Sequence, residues 1–137
     1  MEKDIELKVG VKISLKNKEG KYLIVRRSSE KYPEVGPKWD IVGGRINAGK
    51  TLIQNLRREV LEETGLEIIG EPELIFAQDI LRVEGKHTVR LTYTGRADGE
   101  VILNDEHEEY KWVMFSEMTE IEPMDKYFKE VINKKLI

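Results

Sequence analysis

Three glutamates, Glu59, Glu62 and Glu63, stand at i, i+3 and i+4. In a helix these positions span about a third of the circumference, so three carboxylates would project from one face. Like charges at this spacing repel by roughly 0.2–0.5 kcal/mol per pair. Glu62 and Glu63 would also lie in the last turn before Gly65, where the macrodipole disfavours negative charge by about 0.3–1 kcal/mol. Helical phase puts Glu63 between Leu52 and Leu56, at the edge of the apolar stripe. A divalent cation would answer all three objections, since Mg2+ takes one or two carboxylates together with substrate phosphates and water. The alternative is a solvated acidic face on which Arg58 pairs with Glu62.

Further on, Asp105-Glu106-His107-Glu108-Glu109 supplies four more carboxylates just before Trp112. Alone, this run reads more readily as a solvated loop than as a site. Arg26 and Arg27 are adjacent at the end of a strand pattern, so only one can point into a cleft. Arg27 is the candidate for a phosphate contact, because a guanidinium fork matches phosphate oxygens. Trp39 is a candidate for stacking on a base, with a core position as the alternative. Arg45 and Arg90 are further candidates to reach a substrate, and His87 reads as a surface residue of a hairpin.

The elements that would position these groups follow from periodicity. Leu7, Val9, Val11, Ile13 and Leu15 alternate with polar or small residues and predict a strand with one wet face. Asn17-Lys18-Glu19-Gly20 is turn chemistry, and residues 22–26 read as the returning strand of a hairpin. Residues 28–38, with two prolines and a glycine, read as a loop, followed by a short strand over 39–42 that Gly43-Gly44 ends. Thr51 as N-cap, Gln54 in a capping box and Gly65 beyond the C-terminus frame a helix with Ile53, Leu56 and Val60 on one face. Residues 74–83 and 86–94 flank Glu84-Gly85 as a second hairpin. Short strands are predicted over 101–103 and 111–115. Pro123 would open a last helix with Met124, Phe128, Val131 and Ile132 on one side.

Composition narrows the chemistry. The 137 residues suit one domain over 1–137. Twenty-three basic and 26 acidic residues give a net charge of −3, without the basic excess of a general nucleic-acid binder. No apolar run exceeds four residues, far short of the ~20 needed to cross a bilayer. Zero cysteines exclude disulfides, thiol catalysis and thiolate metal sites, and two histidines do not make a His-rich zinc site. Any metal would be a hard cation held by oxygen. The mixed-charge start Met1-Glu2-Lys3-Asp4 lacks the apolar segment of a secretory signal, which favours a cytoplasmic protein. The strand, helix, strand, helix order predicts an α+β fold with a mixed β-sheet.

Read with its flanks, the segment over 44–66, GRINAGKTLIQNLRREVLEETGL, resembles the Nudix box, Gly-x5-Glu-x7-Arg-Glu-U-x-Glu-Glu-x-Gly-U, with U a bulky aliphatic residue. Gly44, Arg58, Glu59, Val60, Glu62, Glu63, Gly65 and Leu66 match, eight of nine defined positions. The resemblance implies a Nudix-type α/β/α sandwich. It also implies Mg2+- or Mn2+-dependent hydrolysis of a nucleoside diphosphate linked to another moiety. By the same resemblance Glu59 and Glu63 would hold the metal, Glu62 would join as a ligand or as the base that orients water, and the Gly43 carbonyl would complete the shell. Arg58 would support the catalytic loop. The Glu-His-x-x-Tyr-x-Trp part of the second acidic run resembles a downstream family segment and singles out Glu106 as a further ligand or base, with Glu108 and Glu109 as alternatives.

The departure is Lys50, where the family has its first Glu. Because that Glu commonly pairs with the box Arg, Lys50 facing Arg58 would exchange attraction for repulsion and loosen the loop. Val42, where many members have Pro, is a milder departure. The implied substrate is a nucleoside triphosphate or similar small nucleotide, with no nucleic-acid or membrane partner and with a homodimer left open. The alternative from another class is a catalytically impaired nucleotide-binding or regulatory module, motivated by Lys50.

Overall fold

A computed structural model describes residues 4–30 and 38–137. Residues 1–3, read above for the absence of a signal, and most of the loop read over 28–38 lie outside the described residues. Among those described there are seven strands: β1 (Glu6–Lys16), β2 (Tyr22–Arg27), β3 (Trp39–Asp40), β4 (Val42–Arg45), β5 (Ile69–Ile80), β6 (Lys86–Arg96) and β7 (His107–Val113). Three helices accompany them, α1 (Leu52–Thr64), the single turn α2 (Phe115–Met118) and α3 (Lys126–Asn133). The result is the α+β architecture expected, with a mixed sheet between helices. None of these helices is long and apolar enough to cross a membrane.

Strand β1 organises the sheet. It runs parallel to β6 along its whole length, from Glu6 opposite Lys86 to Lys16 opposite Arg96, and antiparallel to β4 from Gly10 to Ile13. The tight turn after β1 forms as expected, with Asn17 Oδ1 accepting from the amides of Glu19 and Lys21. The predicted opening hairpin is nevertheless corrected: β1 meets β2 only at Lys16 and Tyr22, and β2 then turns away to pair with β3 and β7. Two lobes of sheet therefore diverge from one corner, β5-β6-β1-β4 on one side and β3-β2-β7 on the other.

Each lobe packs an apolar face on a helix. Leu56 and Val60 of α1 meet Val11, Ile13, Leu15 and Val42 in one core. Phe128, Val131 and Ile132 of α3 meet Ile24, Trp39, Ile41 and Val113 in the second. Helix α1 starts and stops where local chemistry dictates. Thr51 Oγ1 accepts from the Gln54 amide, Gln54 Oε1 accepts from the Thr51 amide, and Gly65 closes the last turn at φ 73°.

Several expected boundaries move, among them the start of the last helix, which is Lys126 after the Asp125 cap and not Pro123. Gly43-Gly44 does not end a strand but lies inside β4, paired with Lys12 and Val11. A Cβ on Gly43, at φ 144°, would stand 2.0 Å from the Val11 carbonyl oxygen, so only glycine lets β4 lie this close to β1. Residues 101–103 form no strand: Val101 fills the α1 core and the Ile102 amide donates to the carbonyl of Thr64, the last residue of α1. Strand β7 begins at His107, and Phe115 belongs to α2. Helix α3 is capped by Asp125, whose Oδ2 accepts from the Tyr127 and Phe128 amides.

Candidate active site

A cavity of about 560 Å3 opens beside the β1–β4 pair and the acidic face of α1. Its lining includes Gly43, Gly44 and Arg45 of β4, Glu59 of α1, Gly10 and Lys12 of β1, Arg27 of β2 and Glu106 from the loop before β7. The remaining wall comes from the β5–β6 hairpin, with Arg82, Lys86 and Arg90, and from Asp40, Asp125 and Tyr127. Six basic and four acidic side chains thus face one cavity, a lining suited to a polyanion accompanied by a cation.

The helix carboxylates separate by depth. Glu62 is exposed and pairs with Arg58 at 3.3 Å, away from the cavity lining. Glu59 lines the cavity with its side chain 12% exposed and meets Arg58 Nη1 at 3.1 Å. Glu63 is 1% exposed, and neither of its carboxylate oxygens has a hydrogen-bond partner among the described residues. Burial pushes the Glu63 carboxyl up to about 9; the Lys12 charge opposes the shift, and the neighbouring Glu59 and Glu106 carboxylates add to it. A buried carboxylic acid with acidic neighbours and no donor of its own is the environment a hard cation would relieve. As the side chains stand, no three His, Cys, Asp or Glu among the described residues converge into a closed ligand cage. The donor types suit such a cation: the carboxylates of Glu59, Glu63 and Glu106, with Gly43 in the lining of the same cavity as Glu59 and Glu106.

Strand β7 sorts the second acidic run. Between Arg26 and Arg27 the β2–β7 register shifts, Arg26 facing Glu109 and Arg27 facing His107, so that Glu108 is the extra residue. Glu108 and Glu109 turn to Arg26, at 3.4 and 2.9 Å. His107 turns inward, 8% exposed, with Nδ1 3.5 Å from Glu63 Oε1. Burial, reinforced by Lys12 and Arg27, pulls the His107 imidazole down to about 4, so it is neutral at pH 7. Glu106 is left on the cavity wall, its carbonyl accepting from the Ser28 amide and its own amide donating to Asn104 Oδ1. Of the two neighbouring arginines, Arg27 lines the cavity and Arg26 does not.

Trp39 requires a correction. It is 5% exposed within the α3 core, with the Arg26 guanidinium 5.6 Å and the Lys111 ammonium 5.1 Å from its ring centre. Its amide and carbonyl are tied to Pro123 and Asp125, so the ring is a structural anchor and not a platform for a base. Arg90 is likewise committed. Only 5% exposed, it pairs with Asp40 at 3.0 Å and Asp125 at 3.2 Å, and Lys12 Nζ meets the other Asp40 oxygen at 3.4 Å. Burial alone would raise the Asp40 carboxyl, but Arg90 and Lys12 outweigh it and hold the group well below the usual carboxylate range. His87 sits on the β5–β6 hairpin, bonded to Asp79 at 2.7 Å.

Lys12, Asp40 and Asp125 were not singled out by their residue types. For Lys12 a signal existed: Gly10 and Lys12 share the face of β1 that alternation marks as wet, and that face is the cavity floor. Asp40 and Asp125 carried none, because they meet only through tertiary packing.

Comparison with known proteins places this geometry among relatives. The family model described as NUDIX domain matches residues 6–134. An RNA pyrophosphohydrolase of Bartonella bacilliformis is 28% identical over a 135-residue alignment that covers 81% of this chain and 79% of the relative. Among solved structures, a MutT protein from Methanosarcina mazei Go1 superposes with a TM-score of 0.84 at 26% identity, covering 97% of this chain and 95% of the other. A MutT NUDIX hydrolase from Burkholderia pseudomallei shares the fold with a TM-score of 0.79 at 21% identity, covering 93% and 97%.

Proposed function

The chain belongs to the Nudix family of nucleotide pyrophosphate hydrolases, and from that premise we propose that it cleaves the pyrophosphate bond of a small nucleotide, a nucleoside triphosphate or close analogue, with Mg2+ or Mn2+. The observation that carries this reading is the pairing of Glu63, a buried carboxyl without a donor, with Glu59 at the wall of a cavity lined by basic side chains.

Glu59, Glu63 and Glu106, with the Gly43 carbonyl, would hold the cation, which when bound lowers the pKa of water and polarises phosphoryl oxygens. The chain's own residues account for the rest. Arg27 and Arg45 bind phosphate oxygens, for which a planar fork of donors is suited. Glu106 accepts the proton of the attacking water. Glu62, exposed and held by Arg58, serves the loop and not the proton transfer. Lys12 sets the charge at the cavity floor, opposing the accumulation of carboxylates around Glu63.

The test is a panel of nucleoside triphosphates, modified nucleotides and a 5′-triphosphorylated oligonucleotide, with Mg2+ and Mn2+, scored for phosphate, pyrophosphate and monophosphate release. Metal-dependent release from a mononucleotide supports the reading. Release only from the oligonucleotide moves the substrate to an RNA end, the chemistry in the name of the Bartonella relative. Nucleotide binding with no release under any condition establishes the impaired binding module instead.

A further inference from the structure

The loop joining β4 to α1 would lose its support if it depended on a carboxylate at position 50, where the chain has Lys50. Its anchor in this fold is Asn55, on the first turns of α1 and 1% exposed. Asn55 Oδ1 accepts from the Asn47 amide at 2.7 Å and from Arg58 Nη2 at 3.1 Å. Its Nδ2 lies 2.8 Å from the Thr51 carbonyl, 3.3 Å from that of Lys50 and 3.4 Å from that of Asn47. One carboxamide therefore closes the loop at both ends and grips Arg58. A buried asparagine inside a helix is otherwise an unfavourable choice, since its side chain competes with the backbone for hydrogen bonds. Here that competition is its use. Arg58 passes the constraint on, with Nη1 3.1 Å from Glu59 Oε1 and Nη2 3.4 Å from the Arg45 carbonyl.

Lys50, Asn47, Gln54, Asn55 and Arg58 line a small cavity of about 190 Å3. A carboxylate at position 50 would share that cavity with Arg58 and could take hold of it. We propose that Asn55 is the positioning residue of this site, fixing the loop over 47–51 and orienting Arg58, and through Arg58 the cavity carboxylate Glu59, in place of a glutamate at position 50. The inference rests on the reading of Glu59 as a metal ligand.

The experiment compares the wild type with Asn55→Ala, Lys50→Glu, the double variant and Asn55→Asp. Its readouts are amide hydrogen exchange at Asn47, Mn2+ titration by electron paramagnetic resonance, thermal melting, and kcat and KM on whichever nucleotide the panel shows to be cleaved. Asn55→Ala should stay folded, lose exchange protection at Asn47 and bind Mn2+ about 10–100-fold more weakly, the usual cost of removing a group that orients a ligand. Its kcat should fall with KM little changed. Lys50→Glu alone should behave as wild type, and in the Asn55→Ala background it should restore most of the Mn2+ affinity. Asn55→Asp keeps the acceptor for Asn47 and Arg58 but sets an oxygen against the three carbonyls that Nδ2 serves, so it should bind Mn2+ between wild type and Glu59→Gln, which serves if Asn55→Ala does not fold. The inference is overturned if folded Asn55→Ala binds Mn2+ like wild type, if the double variant recovers nothing, or if Asn55→Asp binds no better than Glu59→Gln. Hydrolysis is judged apart: a wild type that binds Mn2+ but cleaves no nucleotide overturns the proposed activity while the Mn2+ and exchange arms still decide the role of Asn55.

Discussion

The space a side chain on Gly44 would fill is taken by the carboxylate of Glu59: a Cβ there would lie 2.7 Å from Glu59 Oε2, 2.9 Å from its carbon and 3.0 Å from Oε1. Gly44 cannot back away, because it pairs with Val11 inside β4. Gly44→Ala should therefore displace the Glu59 carboxylate and leave the sheet intact. A displacement near 1 Å at a reacting centre costs up to about 100-fold in rate, so a loss of that order in kcat is expected with the melting temperature little changed. Wild-type turnover in Gly44→Ala would show that Glu59 need not sit where it does.

Glu63→Gln separates the fold from the chemistry. Its folded, metal-free form already carries a proton at pH 7, so the uncharged amide is a close substitute in the packing. The variant should melt at or above the wild-type temperature at pH 8 while metal-dependent turnover falls by at least about 100-fold, at the upper end of what ligand-shell losses cost. Near wild-type hydrolysis across the nucleotide panel would sink the ligand assignment.

The raised carboxyl of Glu63 also has a pH signature. In the unfolded chain it ionises near 4.5, while the metal-free fold keeps it protonated up to about 9. Between those values unfolding releases a proton, so the stability of the metal-free protein should decline as pH rises from about 5 toward 9. Glu63→Gln should flatten that decline. Because a ligand carboxyl must ionise, Mn2+ binding should expel a proton near neutrality and tighten as pH rises from 6 to 8. Calorimetry in two buffers of different ionisation enthalpy measures the proton directly, and no release would contradict the protonated state of Glu63.

What could be read from the residues was local. Helix α1 declares itself through Thr51, Gln54 and Gly65, and the burial of Glu63 follows from its phase against Leu52 and Leu56. The pairing of β1 with β6 was not legible, because a parallel partner is chosen by chain crossing and packing and not by the turn that follows β1. The same distance hid the ion-pair network of Arg90 with Asp40 and Asp125, which come from three elements far apart in the chain. Trp39 misled because a tryptophan next to a candidate cleft reads the same whether its ring faces substrate or core. Choosing among Glu106, Glu108 and Glu109 required the register shift opposite Arg27, which alternation alone does not reveal.

The last prediction concerns the buried charges on the cavity wall. Asp40 is held by Arg90 at 3.0 Å and by Lys12 at 3.4 Å, both side chains largely out of solvent. Its carboxyl is depressed in the fold and ordinary, near 3.8, in the unfolded chain. The stability it contributes is thus fully present above about pH 4 and is lost as pH falls below that, where the unfolded chain takes up the proton first. Asp40→Asn removes the partner of two buried cations and should cost about 3–5 kcal/mol at pH 7, the usual penalty for breaking a buried pair from one side. It should also show a shallower loss of stability than wild type between pH 4 and 2. Adding Arg90→Gln should recover part of the loss, because without Asp40 the buried guanidinium keeps only Asp125 as a partner, and its under-compensated charge is much of the cost. Urea unfolding of the three proteins at pH 7, 4 and 3 measures all of this. If Asp40→Asn were as stable as wild type at pH 7, the buried network would not hold the cavity wall, and Asp125 alone would restrain Arg90 from a substrate phosphate.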